Sequence, residues 1–308
     1  MDPIEEMDIR GDSTFVMMLE AQARGHRVDY ALMPSLHLEG DRPGARVQRA
    51  EVRREIGDHF SLGNVEDAWL DEYDAVFMRK DPPFDTDFHL ATLILDMTRR
   101  DRTVLVNEPR ALRDFNEKLS ALRWSRFMPP TIATADRARI RSFLNENGTC
   151  IVKPLVNAGG EGIIRLEPND KNTGSVLDLL TLFGKRMIEA QKFVPDVTKG
   201  DKRILLVNGE PIGAINRVPA KDDHRANMHV GGRAEAVGLD DRDREICDAL
   251  GPSLRENGLA LVGIDVIGGF LTEINVTSPT GLQELASFDG VHGERILLDW
   301  LEDRLAGR

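Results

Sequence analysis

Hydrophobic and polar positions along the first third of the chain alternate between short apolar runs and longer amphipathic stretches. Short apolar runs are typical of buried strands, and amphipathic stretches are typical of helices. The predicted elements are a helix over residues 13–23 with Ser13 as N-cap and Gly25 at its end, a strand over 27–33, a polar stretch to about Asp71, a strand over 75–78, a helix over 87–100 and a strand over 103–106. Strands that alternate with helices predict a parallel sheet with ligands at the carboxyl ends of its strands.

From residue 116 onwards the pattern changes to strands that follow one another through short turns. The predicted elements are helices over 116–127, 136–147, 241–257 and 293–305, strands over 150–154, 163–166 and 187–194, and hairpins over 201–218 and 262–276. Asn208-Gly209 is an explicit turn signal for the first of these hairpins. The sequence therefore predicts an α/β fold that becomes α+β in its C-terminal part.

The register of the hairpin over residues 262–276 decides which side chains share a face. A two-residue turn at Gly268-Gly269 would set Asp265 opposite Thr272 and send Glu273 to the other face. A three-residue loop over 268–270 would set Asp265 opposite Glu273. We favour the three-residue loop, because it leaves one face wholly apolar. The apolar face would then carry Val262, Ile264, Val266, Ile274 and Val276.

In the favoured register Asp265, Glu273 and Asn275 lie on one face of the sheet. Two carboxylates and an amide oxygen are hard ligands of the kind that Mg²⁺ accepts when substrate phosphates complete its coordination. The alternative interpretation is a solvated edge hairpin whose acids face water.

Composition and charge exclude several classes of function. The formal charge of −12 argues against a nucleic-acid binder, so an anionic ligand needs a local cluster of Lys and Arg. Cys150 and Cys247 are far apart and in no metal-binding spacing, which predicts reduced thiols in a reducing compartment. The first residues carry no secretory pattern, and no apolar run approaches the ~18 residues of a membrane span. These features predict a soluble, cytoplasmic protein.

Three further stretches carry candidate chemistry, each with a plainer alternative. Arg79-Lys80-Asp81 follows a predicted strand, where a ligand would bind, but could be a solvated turn. Lys118 opens a predicted helix, where a cation is unfavourable, so it is either a plain surface residue or held by an anion. Residues 157–162 form a glycine loop beside Lys153, which could cover phosphates or be a plain hairpin turn. Residues 219–232 could be a lid over the site or a disordered connection.

Five motifs carry a resemblance to a known family. They are Met-Asp-Pro-Ile at residues 1–4, Arg-Lys-Asp-Pro-Pro-Phe-Asp at 79–85, Asn-Glu-Lys at 116–118, Gly-Asp-Lys-Arg at 200–203 and Thr-Glu-Ile-Asn-Val-Thr-Ser-Pro-Thr at 272–280. In this order and spacing the chain resembles bacterial glutathione synthetase, of the ATP-grasp superfamily, nearly from end to end. The motifs at 79–85 and 272–280 are specific to that family, whereas the glycine loop is not.

The resemblance implies an N-terminal parallel α/β domain over residues 1–115 and a two-subdomain ATP-grasp fold over 116–308, divided at 194/195. It implies a ligase that joins γ-glutamylcysteine to glycine through an acyl phosphate, with ATP cleaved to ADP and phosphate. Two Mg²⁺ ions, with Mn²⁺ as a substitute, would accompany ATP. The family expectation for assembly is a homotetramer. The rival interpretations are another ATP-grasp carboxylate-amine ligase and a non-catalytic nucleotide-binding module.

The resemblance also implies roles for individual residues. Catalytic roles fall on Arg203, Arg217 and Arg233. The implied ATP-binding residues are Lys118, Lys153, Gly159, Gly160, Gly162, Glu189, Gln191, Lys192, Phe193, Val194 and Asp201, with residues 191–194 offering backbone bonds to adenine. The implied substrate-binding residues are Ser13, Arg79, Asp81, Asn227, Gly231, Gly232, Ser278, Pro279 and Thr280. The metal ligands would be Asp265, Glu273 and Asn275.

The chain departs from the family pattern at three places. The family has a short apolar strand before Met-Asp-Pro-Ile, and without that strand we expect lower stability, because its neighbours lose hydrogen-bond partners. Asn157-Ala158 stands where the family has Gly-Met, which changes the glycine loop. Met228-His229-Val230 stands where the family has smaller residues, which affects closure of the predicted lid.

Overall fold

The computed structural model describes residues 1–156, 159–219 and 232–307 of the 308-residue chain. Its first α-helix, α1, is Ser13–Ala23, and Asp12 is the N-cap because its carboxylate accepts a hydrogen bond from the Phe15 amide at 2.7 Å. The prediction of Ser13 as N-cap is therefore wrong by one position. Ser13 is the first helical residue and is fully buried.

The stretch before Asp71, predicted only as polar, contains most of an antiparallel sheet. Its strands are β1 Asp29–Tyr30, β2 Leu36–Glu39, β3 Arg42–Val52 and β4 Phe60–Trp69. β3 pairs with each of the other three. The predicted strand over 27–33 is too long, since only the two residues of β1 are paired there.

The predicted parallel sheet is confirmed for one pair of strands. The elements that follow β4 are β5 Ala75–Phe77, α2 Thr86–Asp96, β6 Val104–Val106 and α3 Pro109–Asp114. β5 and β6 pair in parallel and form a two-stranded sheet within the described residues. Arg79 follows β5 closely, so the carboxyl end of this pair carries the charged motif.

Residues 116–192 form a second unit around an antiparallel sheet. The segment predicted as a helix over 116–127 contains a 3₁₀ helix, Leu119–Phe127, that is interrupted at Trp124. The remaining elements are β7 Thr131–Thr134, α4 Arg137–Asn147, β8 Cys150–Pro154, β9 Ile164–Leu166, α5 Thr173–Leu180 and β10 Ile188–Lys192. The strand order is β7-β10-β8-β9, and both helices pack on this sheet through a small apolar core.

The C-terminal part is a five-stranded antiparallel sheet with helices against it. Its elements are β11 Asp201–Val207, β12 Glu210–Val218, β13 Arg233–Val237, α6 Asp241–Glu256, β14 Leu261–Ile267, β15 Phe270–Asn275, α7 Leu282–Asp289 and α8 Gly293–Ala306. The strand order is β13-β12-β11-β14-β15. The turn predicted at Asn208-Gly209 is confirmed, with positive φ at both residues. Helices α3, α5 and α7 were not predicted.

The hairpin β14–β15 has the predicted pairing but a different tip. Asp265 lies opposite Glu273 and Gly263 opposite Asn275, as the favoured register requires. The tip is nevertheless a two-residue turn at Gly268-Gly269, both with positive φ, and the predicted three-residue loop is wrong. A β-bulge explains how a two-residue turn can coexist with the predicted pairing. Thr272 is an extra residue between the pairs Val266–Leu271 and Asp265–Glu273. The Thr272 hydroxyl donates to the Asp265 carbonyl oxygen at 3.1 Å.

Two apolar clusters join the N-terminal part to the C-terminal sheet. The first packs Val47, Phe88 and Leu112 with residues of β11, β14, β15 and α6. The second packs α1 and β6 with α7, α8 and the opposite face of the sheet. All five residues predicted for the apolar face of the hairpin are buried in the first cluster. Within the described residues, no helix has the length and apolar character that crossing a membrane requires.

Candidate active site

A cluster of four charged side chains lies across three neighbouring strands of the C-terminal sheet. Arg203 on β11 lies directly opposite Asp265 on β14. Arg217 on β12 lies directly opposite Asp201 on β11. Arg203 donates to Asp265 from Nε at 2.5 Å and from Nη2 at 3.0 Å. Arg217 Nη2 lies 2.6 Å from Asp201 Oδ2 and 3.0 Å from Asp265 Oδ1, which joins the two pairs.

Gly263 leaves the space that this cluster needs. A Cβ atom at Gly263 would lie 2.8 Å from Arg203 Cδ and 3.2 Å from Pro279 Cβ. A larger residue at this position would therefore displace the Arg203 side chain from Asp265.

Burial and charge act differently on the two carboxylates of the cluster. Burial acts to raise the pKa of Asp265, but the guanidinium groups of Arg203 and Arg217 outweigh it and hold that pKa well below its usual value. Burial raises the pKa of Asp201 to about 6, and the charge of Asp265 adds to the increase. Asp201 Oδ1 is buried and accepts no hydrogen bond within the described part of the chain. Asp265 therefore stays ionised, and Asp201 is the member with room for a further partner.

Lys118 and Glu273 form a second ion pair beside this cluster. Lys118 Nζ lies 2.9 Å from Glu273 Oε1, and Lys118 is only 4% exposed. Burial acts to lower the pKa of Lys118, but the Glu273 carboxylate outweighs it and raises that pKa. Asn116 holds this segment, because its Oδ1 accepts from the Leu119 amide at 3.0 Å and its Nδ2 donates to the Leu155 carbonyl oxygen at 2.8 Å. The surface interpretation of Lys118 is wrong, because the side chain is buried and paired with the Glu273 carboxylate.

Lys153 is buried on the sheet of the second unit. It is the cross-strand neighbour of Glu189, and its Nζ lies 3.0 Å from Glu189 Oε1 and donates to Gln191 Oε1 at 3.0 Å. Glu189 has no exposed surface, and neither of its oxygens has a hydrogen-bond donor in favourable geometry among the described residues. A buried carboxylate and lysine therefore hold each other at the position where the sequence predicts phosphate contacts.

The backbone amides at the end of β10 differ in their hydrogen bonds within the described residues. The Lys192 amide donates to the Pro130 carbonyl oxygen at 2.8 Å, and the Phe193 amide donates to that of Thr149 at 2.9 Å. No hydrogen bond within the described residues uses the Val194 amide. Val194 is therefore the position whose N–H is open to a ligand.

The described part of the glycine loop has the backbone geometry expected of it. Gly159, Gly160 and Gly162 all have positive φ, which few other residues adopt. A Cβ atom at Gly162 would also lie 2.7 Å from Pro154 Cγ, so this glycine is needed for close packing. Residues 157 and 158 lie outside the described residues.

The N-terminal part meets the loop after β15 through Arg79. Arg79 is 5% exposed, and burial lowers the pKa of its guanidinium. It donates to Thr14 Oγ1 from Nε and to the Pro279 carbonyl oxygen from Nη2, both at 3.0 Å. The Ser13 hydroxyl accepts from the Leu282 amide at 3.3 Å. The solvated-turn interpretation is therefore wrong for Arg79.

Several predicted site residues lie away from these contacts or outside the description. Asp81 is exposed, and its amide donates to the Asp2 carboxylate at 2.8 Å. Arg233 begins β13 with its side chain 77% exposed and paired with Glu235. Gly232 adjoins that strand, whereas Asn227, Gly231, the substituted residues 228–230 and most of the predicted lid lie outside the described residues. In the loop after β15, the Thr280 carbonyl oxygen accepts a hydrogen bond from Arg203 Nη1 at 3.4 Å. Ser278 in the same loop is half-buried.

Two polar residues at the site, the half-buried Glu117 and the buried Asn107, were not predicted. Glu117 Oε1 accepts from the amides of Val276 and Thr277, at 2.9 and 3.1 Å, and from the Thr277 hydroxyl at 2.8 Å. Asn107 donates to the carbonyl oxygens of Leu261 and Val276 and accepts from the Leu261 amide. The motif Asn-Glu-Lys pointed to Glu117, but the periodic pattern gives no signal for Asn107.

The predicted metal ligands present a suitable set of donors. Asp265, Glu273 and Asn275 share one face, and Asn275 Nδ2 donates to Asp265 Oδ2 at 3.2 Å, so its amide oxygen remains an acceptor. In the structure, the Glu273 carboxylate is paired with Lys118, and the Asp265 carboxylate is paired with Arg203. Within the described residues there is no group of three His, Cys, Asp or Glu side chains that could hold a metal alone. Two carboxylates and an amide fit a hard cation that takes its other ligands from substrate oxygens.

Solved structures with the same fold include ATP-grasp proteins. The ATP-grasp ligase PsnB, complexed with a phosphomimetic variant of its minimal precursor, Mg and ADP, has a TM-score of 0.62 at 18% identity, with 94% of each chain covered. A RimK domain ATP-grasp protein from Sphaerobacter thermophilus has a TM-score of 0.62 at 16% identity, with 96% of each chain covered. At these identities the likeness establishes the fold.

Sequence comparisons identify the family. Residues 1–113 match the N-terminal domain of prokaryotic glutathione synthetase, and residues 117–290 match its ATP-grasp domain. The glutathione synthetase of Rhodopseudomonas palustris is 47% identical over 290 residues, covering 94% of this chain and 92% of the relative. That of Bradyrhizobium diazoefficiens is 45% identical over 306 residues, covering 99% and 97%. With these matches and the ATP-grasp fold, the chain belongs to the prokaryotic glutathione synthetase family and is an ATP-dependent ligase.

Proposed function

We propose that the chain joins γ-glutamylcysteine to glycine, with ATP cleaved to ADP and phosphate. The observation that carries the proposal is the shared face of Asp265, Glu273 and Asn275, with Lys118, Arg203 and Arg217 against it. A carboxylate is a poor electrophile until it is phosphorylated, and phosphoryl transfer is promoted by positioning and by neutralisation of charge. This face offers both kinds of group, beside the segment where Arg79 meets Pro279.

The charge balance of the site supports a need for metal ions with ATP. Four cations, Lys118, Lys153, Arg203 and Arg217, face five carboxylates, Glu117, Glu189, Asp201, Asp265 and Glu273. A triphosphate adds further negative charge, and bound metal ions would help to neutralise it. We propose two Mg²⁺ ions, replaceable by Mn²⁺, held by Asp265, Glu273 and Asn275. Ions held there would supply positive charge that stabilises the transferring phosphoryl group.

The proposed nucleotide site lies between the second unit, over residues 116–194, and the C-terminal unit that follows it. Lys118 and Lys153 would exchange their carboxylate partners for phosphate oxygens, and the glycines at 159, 160 and 162 would let backbone amides approach the same oxygens. The Val194 amide, which no other described group uses, is the favoured donor to adenine. Glu189, Gln191, Lys192, Phe193 and Asp201 complete the proposed ATP-binding set.

The proposed acid site lies where the N-terminal part, over residues 1–115, meets the loop after β15. Ser13, Arg79 and Asp81 would hold the dipeptide, and Ser278, Pro279 and Thr280 would receive a carboxylate. Arg203 and Arg233 would stabilise the charge of the transferring phosphoryl group, and Arg217 would help to receive a substrate carboxylate. We retain Arg233, Asn227, Gly231 and Gly232 as proposed contacts of the closed site, which must exclude water because an acyl phosphate hydrolyses in solvent. A cytoplasmic homotetramer stays part of this proposal.

Release of ADP with Mg²⁺ and γ-glutamylcysteine, measured with and without glycine, tests the proposed reaction. We expect strong release only when both substrates are present, and glutathione in equal amount. Glu273→Gln and Asn275→Ala should abolish turnover and leave the fold intact, whereas Glu256→Gln, at an exposed position of α6, should behave as wild type. Wild-type rates in either site variant would contradict the metal assignment. Release with another acid in place of γ-glutamylcysteine would favour a different carboxylate-amine ligase.

A further inference from the structure

Helix α2 is apolar on two opposite sides. Its buried residues all lie on the side that belongs to the first apolar cluster, and they are Phe88, Ala91, Thr92 and Leu95. Leu90, Leu93 and Met97 lie on the other side, since successive helical residues are about 100° apart. These three side chains are 50%, 42% and 47% exposed. A helix that is apolar all round is normally buried all round, so the outer side of α2 lacks a cover within the described residues.

The exposed apolar surface continues beside the helix. α2 packs against β2 and against the 3₁₀ turn Met33–Ser35. Leu38 on β2 is 43% exposed, and Leu32, just before the turn, is 37% exposed. The α2 face is defined as the five residues Leu32, Leu38, Leu90, Leu93 and Met97. A monomer seldom exposes so many large apolar side chains on adjoining elements, and such a surface marks an interaction site.

The two ends of α2 carry exposed charges of opposite sign. Asp87, in the first turn, is exposed and forms no ion pair within the described residues. Beyond the last turn, Arg102 is exposed and also lacks an ion pair among them, and the exposed Arg99 pairs with Asp101. A copy of this helix that runs antiparallel to α2 would therefore place an acid near the arginines and an arginine near Asp87.

We propose that the α2 face is the contact with a second copy of this chain, in which the two α2 helices pack antiparallel about a twofold axis near Leu93. The apolar stripe from Leu90 to Met97 is about 10 Å long, which is two helical turns. About such an axis Leu90 lies against the partner's Met97, and Asp87 comes near the partner's Arg99. The inference rests on the homo-oligomer of the proposed function and is independent of the reaction that the chain catalyses.

A second copy is the occupant that the α2 face itself favours. A twofold axis brings the same surface of two copies together, so that surface must match itself. The α2 face meets this requirement, because its apolar residues lie in the middle and charges of opposite sign lie at its two ends. A parallel pairing would instead place Asp87 against the partner's Asp87, and repulsion between like charges disfavours it.

The turn after α5 also exposes large apolar side chains, but its charges differ. Leu179 and Phe183 are 72% and 71% exposed, and the neighbouring Lys185 and Arg186 are exposed cations. A twofold pairing at this turn would set cations against cations. The turn does not match itself in the way that the α2 face does, so it supplies a control position of greater exposure.

The mass of the assembly, measured by light scattering, tests the proposal. We expect the wild type to be a dimer or larger at micromolar concentration. Leu93→Asp places a charge in the contact and should raise the dissociation constant about 100-fold, so that the mass falls by half or more. Leu179→Asp, at a more exposed apolar position of α5, should keep the wild-type mass. Circular dichroism checks that both variants remain folded.

Cross-linking through single introduced cysteines tests the orientation. The native thiols do not interfere, because Cys150 and Cys247 are each 1% exposed. Leu93→Cys should give a covalent dimer with a short bis-maleimide, whereas Leu179→Cys should stay monomeric on a denaturing gel. Asp87→Cys should cross-link far less than Leu93→Cys, since the antiparallel arrangement holds the two copies of residue 87 about 18 Å apart along the helices.

The possible failures can be told apart. A monomeric wild type would overturn the inference together with the proposed homo-oligomer. An oligomer whose mass Leu93→Asp does not change, or in which Leu93→Cys cross-links no better than Leu179→Cys or Asp87→Cys, would overturn the inference and leave the oligomer in place. A chain that assembles as expected but releases no ADP with γ-glutamylcysteine and glycine would refute the proposed reaction and support the inference.

Discussion

Glu117 is expected to fix the loop over 278–280, which we propose to receive a substrate carboxylate, and removal of its side chain tests this. In Glu117→Ala the amides of Val276 and Thr277 lose their acceptor, and both residues are at most 5% exposed. Each buried donor left unsatisfied costs about 1–3 kcal/mol. Part of that cost is offset, because burial and the nearby Glu273 charge already raise the pKa of Glu117 and so disfavour its ionised form. We therefore expect a net loss of about 2–4 kcal/mol in the free energy of unfolding.

Glu117→Gln is the matched variant, since its amide oxygen can still accept from the same donors. It loses only the charge contribution, about 1 kcal/mol. Urea denaturation followed by circular dichroism would give both differences, with Glu256→Ala on the surface of α6 as a control. Because Thr277 precedes the loop over 278–280, Glu117→Ala should also raise the KM for γ-glutamylcysteine more than the KM for ATP. An alanine variant as stable as wild type, or no less stable than the glutamine variant, would refute the reasoning.

Two further predictions concern buried groups outside the charged cluster. Asn107→Ala should lower the free energy of unfolding by about 2–4 kcal/mol, since it leaves the Leu261 amide and two carbonyl oxygens without their partner. An unchanged urea midpoint would show that water replaces the side chain there. Burial raises the pKa of Cys150 to about 11 and that of Cys247 to about 12, and each is 1% exposed. Iodoacetamide at pH 8 should therefore label neither thiol in the native protein and both after denaturation, and rapid native labelling would contradict their burial.

The elements with clear periodicity were predictable from the sequence, and the hairpin β14–β15 is the best example. Its alternation of apolar and polar residues fixed which side chains share a face, even though the turn was assigned one residue too long. The sheet of β2, β3 and β4 was missed because charged residues dominate its exposed face. In β3 the exposed positions include Arg46, Arg49 and Glu51, which conceal the buried alternation of Val47, Ala50 and Val52.

In the candidate site, contacts within one hairpin could be predicted from the sequence, and contacts between distant segments could not. The face that carries Asp265 and Glu273 follows from spacing within one hairpin, so it could be predicted. The partners of that face come from distant segments: Lys118 and Glu117 precede it by about 150 residues, and Asn107 lies further away still. Such contacts depend on how separate units pack, for which no local pattern exists. The same reason explains why the exposed position of Arg233 was not predicted.

The bulge at Thr272 separates the length of the hairpin tip from the arrangement of its ligands. In a regular hairpin, insertion or deletion of one residue at the tip would rotate every following side chain to the opposite face. Here the gain or loss of one bulged residue can absorb such a change, and the pair Asp265–Glu273 keeps its register. A change of one residue at the tip would thus leave the proposed metal-binding face in place.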